Sequence, residues 1–481
     1  MSFSSITGCI RYVFVLFGVI GLLPMTVQAQ EWAPPIEKYT EENDQIRRDK
    51  FDQVLPEIMR ARGIDMWIHV MREAVPDRFG IDELGSASGV FVFTDRGGDR
   101  IERAVLGRRW GATQRNWGQS DYKRVEECGA YDIVAPAVRV QEPVGGPTNE
   151  YDYRFKGLKE FVEIRDPQRI AVNFKHDLGP WVTYRGEIDG ISHTDWLLLT
   201  EELGQEYAER LVSSEWLLMD YITHRVPSEI ELLKKMRQDG LDHLRESVDA
   251  IEPGVTGVRD TDLTVFRRVM PGQSQRGRSH GWEDAVIQGG DIVLEPMLGW
   301  YGYVLRDGET EPPQDIQRVW AEYLKIDGIL ADTIRAGLTP REIIRDYTER
   351  FEEEGVVIRD NQLHMVLPKN DFAAYAEGFD PDVTHLTIDS HGMMKGARPW
   401  FDENYFGPRI GSLGPDWSRD TPLPDDYYFV LEYFFYMPSP GPDGQNQYLL
   451  WWDHEDAIAT EDGVMYLSPP QEELFLIGSG S

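Results

Sequence analysis

The chain is poor in cysteine: Cys9 and Cys128 are the only two in 481 residues. Cys9 falls in an N-terminal leader pattern, which leaves Cys128 alone. One cysteine excludes an internal disulfide and a cysteine zinc cluster, and reads as a small buried hydrophobe. Basic residues are also scarce, 49 Lys and Arg against 83 Asp and Glu, for a formal net charge of −34. A surface of that sign repels a phosphate backbone, which excludes a nucleic-acid partner. A soluble acidic coat is the plain reading and a cation-handling surface the sharper one. No H-E-x-x-H, G-x-S-x-G, G-x-G-x-x-G or P-loop pattern occurs, so serine-hydrolase and nucleotide-binding readings lack support. Beyond the N-terminus no segment reaches the ~18 apolar residues of a membrane span.

What is present reads as a globular chain, 41% hydrophobic and 11% aromatic, long enough for two to four domains. Arg11 precedes the apolar run "YVFVLFGVIGLLPM", and Val27-Gln28-Ala29 has the form of a small-residue cleavage site. Residues 1–29 are expected to be a signal peptide, with the mature protein periplasmic or secreted and no transmembrane span after cleavage. A retained anchor is the other reading. Residues 30–43 read as a linker.

From Asp44 to Arg62 apolar residues follow helical spacing up to Gly63, and "DMWIHV", "GVFVFTD", "RIERAVLG" and "QRIAVNF" read as strands. Alternation of helix and strand predicts an α/β domain over 44–215. In "RVPSEIELLKKMRQDGLDHL", Ser228 and Glu231 are expected to form a capping box at the head of a long helix; Thr339, Pro340, Glu342 and Gly355 bracket another. A hairpin-like stretch, "GGDIVLEPMLGWYGYVLRDGE", lies between them. The strands "YYFVLEYFFYM", "QYLLWWDHEDAIAT" and "VMYLSP" follow residue 400. The second half, 216–481, is thus predicted to be an α+β domain.

The sharpest chemical signal is Glu432, centred in an apolar strand with Tyr428, Val430, Phe434 and Tyr436 on its own face. A carboxylate there must be ion-paired, hydrogen-bonded, protonated or bound to metal. "WWDHEDAIAT" adds a second set: Asp453 and Glu455 share one strand face, His454 and Asp456 the other. The "SPGPDGQNQ" connection suits a hairpin that would bring one of these faces beside Glu432. "THLTIDSHGMMKG" adds His385, Asp389 and His391. One imidazole with several carboxylates suits a divalent ion such as Mn, Co or Zn.

On these segments, and on "LPEIMRARGIDMWIHVMRE", "YGYVLRDGETEPP" and "DSHGMM", the chain resembles the pita-bread metallopeptidases, which include Xaa-Pro aminopeptidase, prolidase and methionine aminopeptidase, with creatinase as a relative. The resemblance implies an α/β creatinase-like N-terminal domain followed by an α+β pita-bread domain. It also implies two divalent metals held by two Asp, one His and two Glu, with a bridging water as nucleophile. By position, the metal His is His391 and the first Glu is Glu432. The second is expected to be Glu455, which with Asp456 restores the family's Glu-Asp pair; His454, reached on a gapless count back from Thr460, is the alternative. Substrate-side catalytic histidines fall at His280 and His385. The sequence departs from the pattern at the paired Asp positions, which hold Pro296 and Arg306. Their neighbours Glu295 and Asp307 are the replacements to be expected. Arg398 stands where the family has a substrate His.

The expectation is an exported metallo-aminopeptidase-like hydrolase of short peptides, Xaa-Pro bonds among them. It would use Mn, Zn or Co ions, two if the replacements serve, one or none if they do not. A homodimer is carried over as an expectation. A metal-free creatinase-like hydrolase relying on His280, and a binding module without catalysis, are the alternatives.

Overall fold

The computed structural model describes residues 40–71, 79–86, 88–108, 124–138, 154–176, 191–261, 263–266, 286–359, 380, 382–393, 406–411, 416–439 and 448–478. The first long helix, α1 (Thr40–Ala61), buries Ile46, Phe51, Val54, Leu55, Ile58 and Met59 along one stripe, as their spacing demands. Gly63, at φ 61°, follows its end, where the left-handed region favours glycine.

A six-stranded mixed sheet follows. Its members are β1 (Met66–Val70), β2 (Val90–Asp95), β3 (Ile101–Leu106), β4 (Ile133–Val134), β5 (Ile170–Val172) and β6 (Leu211–Ser213), in the order β4-β3-β2-β1-β5-β6. β1 is central and buried throughout, pairing antiparallel with β2 and parallel with β5. Two apolar layers, one including α1 and Cys128 and the other helices 158–165 and 193–208, cover its two faces.

Two further helices, α2 (Glu215–Thr223) and α3 (Pro227–Asp249), lead into the second half. The expected capping box at Ser228 is corrected by the structure. Val226 is the N-cap, no side chain caps the helix, and Pro227 occupies the first turn. The Ser228 hydroxyl instead donates to Asp49 of α1 at 2.5 Å, so a tertiary partner outcompetes the local one.

The second half holds two sheets. β7 (Thr264–Phe266), β8 (Ile292–Glu295) and β9 (Trp300–Val304) form one with the last strand, Phe475–Ile477. The larger is built on β14 (Tyr427–Pro438) and β15 (Tyr448–Thr460), which pair antiparallel from Tyr427 opposite Ala459 to Pro438 opposite Tyr448. On its other edge β14 meets first β11 (Thr384–Ile388) and then β12 (Ser390–Gly392). Short strands β10 (Val356–Ile358), β13 (Phe406–Ile410) and β16 (Gly463–Tyr466) complete it. Helices α4 (Gln314–Thr333) and α5 (Pro340–Glu353) bury Tyr323, Ile326, Leu330, Ile343 and Phe351 in the core that holds Leu431, Tyr433, Phe435 and Trp451. The capping box of α5 forms as predicted, Thr339 and Glu342 satisfying each other's backbone groups. Among the described residues, no helix is long and apolar enough to cross a membrane.

Candidate metal centre

Strand parity divides the β14–β15 ladder into two faces. The odd-numbered side chains of β14 lie in the core with α4 and α5. The even-numbered ones form the other face, and because Glu432 lies opposite His454, these two project together. His391 on β12 lies opposite Val430, which places it on that face as well. One donor atom each of His391, Glu432 and His454 falls within 4.8 Å of the others. The ring Nε2 atoms of His391 and His454 stand 3.7 and 3.9 Å from Glu432 Oε2. Both histidines are buried, and Glu432 is partly exposed.

The supports of this cluster are local. The Glu432 N–H donates to Ser390 Oγ at 3.2 Å, and its carbonyl accepts from the Asp389 N–H at 2.9 Å. Asp389 is itself clamped by Arg409 through two bonds of 2.7 and 2.5 Å. His391 Nδ1 lies 3.3 Å from the Gly392 carbonyl. Assigning the proton to that nitrogen leaves the Nε2 lone pair on the Glu432 side. The strand end beyond His391 is pinned from outside the sheet. Arg225 donates to the Met393 carbonyl at 2.5 Å and pairs with Glu229 of α3 at 2.8 Å. Glu229 lies 3.9 Å from Lys50 of α1.

Beside the cluster stands the next rung of the ladder, Phe434 opposite Trp452. Their rings lie parallel within 4°, centroids 5.5 Å apart, and both are half-buried. The Trp452 ring meets His454 edge-on. Asp456, also on this face, accepts a 2.6 Å bond from the Tyr428 hydroxyl, and burial raises it above the usual carboxylate range.

The reverse face uses the neighbouring residues differently. Glu455 lies opposite Leu431, not Glu432, so it turns away from the cluster. Arg237 of α3 forms a buried ion pair with it, and also donates to the Met297 carbonyl at 2.7 Å and to Ser468 Oγ at 3.2 Å. Burial raises the Glu455 carboxyl, against the pull of Arg237. The turn Pro296–Leu298 sits against this pair, and a Cβ on Gly299 would collide with the Glu455 carboxylate. Asp453 accepts a 2.6 Å bond from Tyr301. Burial, with Glu455 and Asp327 nearby, pushes it well above the carboxylate range. Asp327 of α4 is bonded by the Tyr466 hydroxyl at 2.7 Å, and burial pushes it up to about 7.

Of the residues expected from the sequence, the structure therefore brings together His391 and Glu432. Their third partner is His454, not Glu455. Asp307 sits on an exposed turn after β9, away from the cluster, while its neighbour Arg306 pairs with Glu309 at 2.8 Å. Glu295 is buried at the end of β8, opposite Trp300 and outside the cluster. His385 lies opposite Tyr436 on β14. Its Nδ1 accepts from Arg359 at 3.2 Å and its Nε2 donates to the Asp380 carbonyl at 3.0 Å. Burial lowers its pKa, so it sits as a neutral, doubly engaged ring. His280 and Arg398 lie outside the described residues. Arg237 was not foreseen, although a signal exists. It occupies the stripe Ile230, Leu233, Arg237, Gly240, Leu244, Val248, every member of which is buried.

No protein-family description matches this chain, and no curated protein matches it in sequence. Solved structures do. An X-Pro aminopeptidase from Thermotoga maritima superimposes at a TM-score of 0.52 with 14% identity, covering 88% of this chain and all of that one. This chain has the pita-bread fold. A Xaa-Pro dipeptidase from Bacillus anthracis (TM-score 0.46, 16% identity, 91% of this chain and 100% of that one) and a prolidase from Pyrococcus horikoshii (0.43, 12%, 89% and 99%) are more distant in shape. On this pita-bread frame the β14–β15 hairpin carries a His-Glu-His set.

Its donors fit a divalent ion. Ligands about 2.1 Å from a tetrahedral centre stand roughly 3.4 Å apart. The observed 3.7 and 3.9 Å approach that spacing before any side-chain adjustment. Two imidazoles and a carboxylate are also a donor set that borderline ions prefer.

Proposed function

We propose that the protein is an exported hydrolase of short peptides, of the aminopeptidase or dipeptidase type, with Xaa-Pro bonds among its substrates. A divalent ion held by His391, Glu432 and His454 serves it. The observation that carries this reading is the convergence of those three donors on one face of a pita-bread sheet. The fold analogy to an X-Pro aminopeptidase supports the choice of peptides as substrate. Export rests on the pattern from Arg11 to Ala29.

A divalent ion at this place would polarise a carbonyl and lower the pKa of water. The chain's own part is to position. Ser390 and Asp389 hold the Glu432 backbone, and Arg225 holds the strand that bears His391. The stacked Phe434–Trp452 pair places two half-buried aromatic rings one rung from the donors, about 7 Å along the strands. That spacing lets a substrate side chain lie on the rings while its peptide group faces the cluster.

The test is hydrolysis of a short-peptide panel, Xaa-Pro dipeptides included, after chelation and reloading with Zn, Co or Mn. Metal-dependent turnover that falls at least ~100-fold in Glu432→Gln is expected. Absence of metal-dependent turnover on the whole panel would sink the reading. Two observations favour a second reading, a peptide-binding module without catalysis. Arg237 engages Glu455, and Arg306 stands at one of the positions where the resemblance implies a metal Asp. That reading expects peptide binding with no turnover.

A further inference from the structure

A buried run of charges joins the first half of the molecule to the strands that carry the histidines. Lys50 of α1 places its Nζ 3.7 Å from Glu83 and 3.9 Å from Glu229 of α3, and 4.2 Å from the centre of the Tyr221 ring of α2. Glu83 belongs to the turn Gly80–Leu84, which Arg47 of α1 holds through the carbonyls of Asp82 and Glu83 at 3.1 and 2.8 Å. Glu229 passes the link to Arg225 at 2.8 Å. None of the Lys50, Glu83, Glu229 and Arg225 side chains is more than 3% exposed, so two cations balance two carboxylates inside the protein.

Arg225 then reaches both histidine strands. It donates to the carbonyl of Met393, two residues past His391, at 2.5 Å. Its guanidinium also lies over the Tyr428 ring, 5.4 Å from the centre. One planar group can bond at its edge and stack on its face at once, which an ammonium cannot do. Tyr428 ties β14 to both neighbours. Its carbonyl accepts from the Met393 N–H at 3.1 Å, and its hydroxyl donates to Asp456, two residues past His454, at 2.6 Å. Ile230 and Leu233 of α3 pack with Met393, Tyr428, Val430 and Ile458 in one apolar layer.

From this we infer that Lys50 is a positioning residue. By holding Glu229 it fixes Arg225, and through Arg225 the first half of the chain sets the placement of the His391 and His454 rings. Removing the Lys50 ammonium strips the second Glu229 oxygen of its counter-charge, and the bonds that depend on a fixed Arg225 loosen with it. The positioning role deepens the peptidase reading and rests on it for the use of the two rings, but it is read on the metal-free chain.

The test uses the full chain, metal-free, carrying Lys50→Met or Lys50→Met/Glu83→Gln, the second of which removes one charge of each sign. Folding is checked by circular dichroism. In both variants amide exchange at residues 390–393 should quicken at least about tenfold, while amides of α4, on the opposite face of the sheet, change less than about twofold. The ring signals of His391 and His454 in proton–nitrogen spectra should move. That of His385, which lies opposite Tyr436 and is held by Arg359 and Asp380, should not. Equal quickening in α4 would mean general loosening and overturn the role, as would unmoved His391 and His454 signals. Failure of both variants to fold would make Lys50 a residue of the fold and overturn it too. No peptide turnover by the wild type, with exchange at 390–393 quickened in the variants, would defeat the peptidase reading and leave the positioning role standing. Turnover with unchanged exchange would do the reverse.

Discussion

The consecutive residues His454 and Glu455 meet opposite surroundings across the thickness of one strand. On the odd face, Asp453 and Glu455 are sealed under α4 and the Pro296 turn, answered by a tyrosine hydroxyl and a guanidinium. On the even face, His454 joins His391 and a partly exposed Glu432 beside two half-buried aromatic rings. The same ladder thus carries a closed polar core and a donor set able to take an ion. Burying a charge is tolerated only with a partner in place, and the two faces solve that problem with different partners.

The comparison breaks most severely if the closed face loses its cation. Arg237→Ala leaves Glu455 with burial and no counter-charge, and should cost on the order of 4 kcal/mol of unfolding free energy, read from denaturant midpoints. Adding Glu455→Gln should recover much of it, since an amide needs no counter-ion. A loss under about 1 kcal/mol for the single variant would show that the pair is not holding the strand.

The cluster face is next. Glu432→Gln should weaken Zn binding at least ~100-fold while moving the unfolding midpoint little, the reverse of Arg237→Ala. If the two variants behave alike, the faces do not have separate roles.

Acidity sharpens the contrast further. Asp327, pushed up to about 7 by burial, keeps a proton in the folded chain that the unfolded chain releases near 3.8. Its contribution therefore falls as pH rises from about 4 to 7 and is level above that, a loss on the order of 4 kcal/mol. Asp453 and Glu455 have the same sign. The decisive curve is therefore the difference between wild type and Asp327→Asn, which should slope across that window. A flat difference would remove Asp327 from the account.

Smaller effects are expected at the supports. Arg225→Lys keeps a charge beside Glu229 but loses the planar fork that also reaches the Met393 carbonyl, and Zn affinity should drop about tenfold. Unchanged affinity would mean His391 does not depend on that brace. Trp452→Leu should raise KM a few-fold for peptides with aromatic side chains and leave alanine peptides unaffected. An equal change for both would deny the rings a part in selection.

Much of the frame could be read from residue order. Helical spacing marks α1 and α5, alternation marks β14 and β15, and a lone carboxylate in "YYFVLEYFFYM" marks Glu432. Two expectations went the other way for one physical reason, competition from partners distant in sequence. Ser228 found Asp49 and did not cap its helix. Glu455, the better ligand by chemistry, found Arg237, while His454, favoured by the gapless count, found Glu432. Arg237 was visible only as a charge on an apolar stripe, and a stripe cannot name the carboxylate that waits across it.

Sequence alone determined that two long strands form a hairpin, that alternate residues part to opposite faces, and that His454 and Glu455 cannot share one. Those follow from the two-residue period of a strand. Which of the two faces Glu432 was decided only when the strands paired in register, Glu432 opposite His454. What answers Glu455 was decided only when α3 packed beside the sheet. Register and helix placement depend on contacts more than 20 residues apart in the first case and more than 200 in the second.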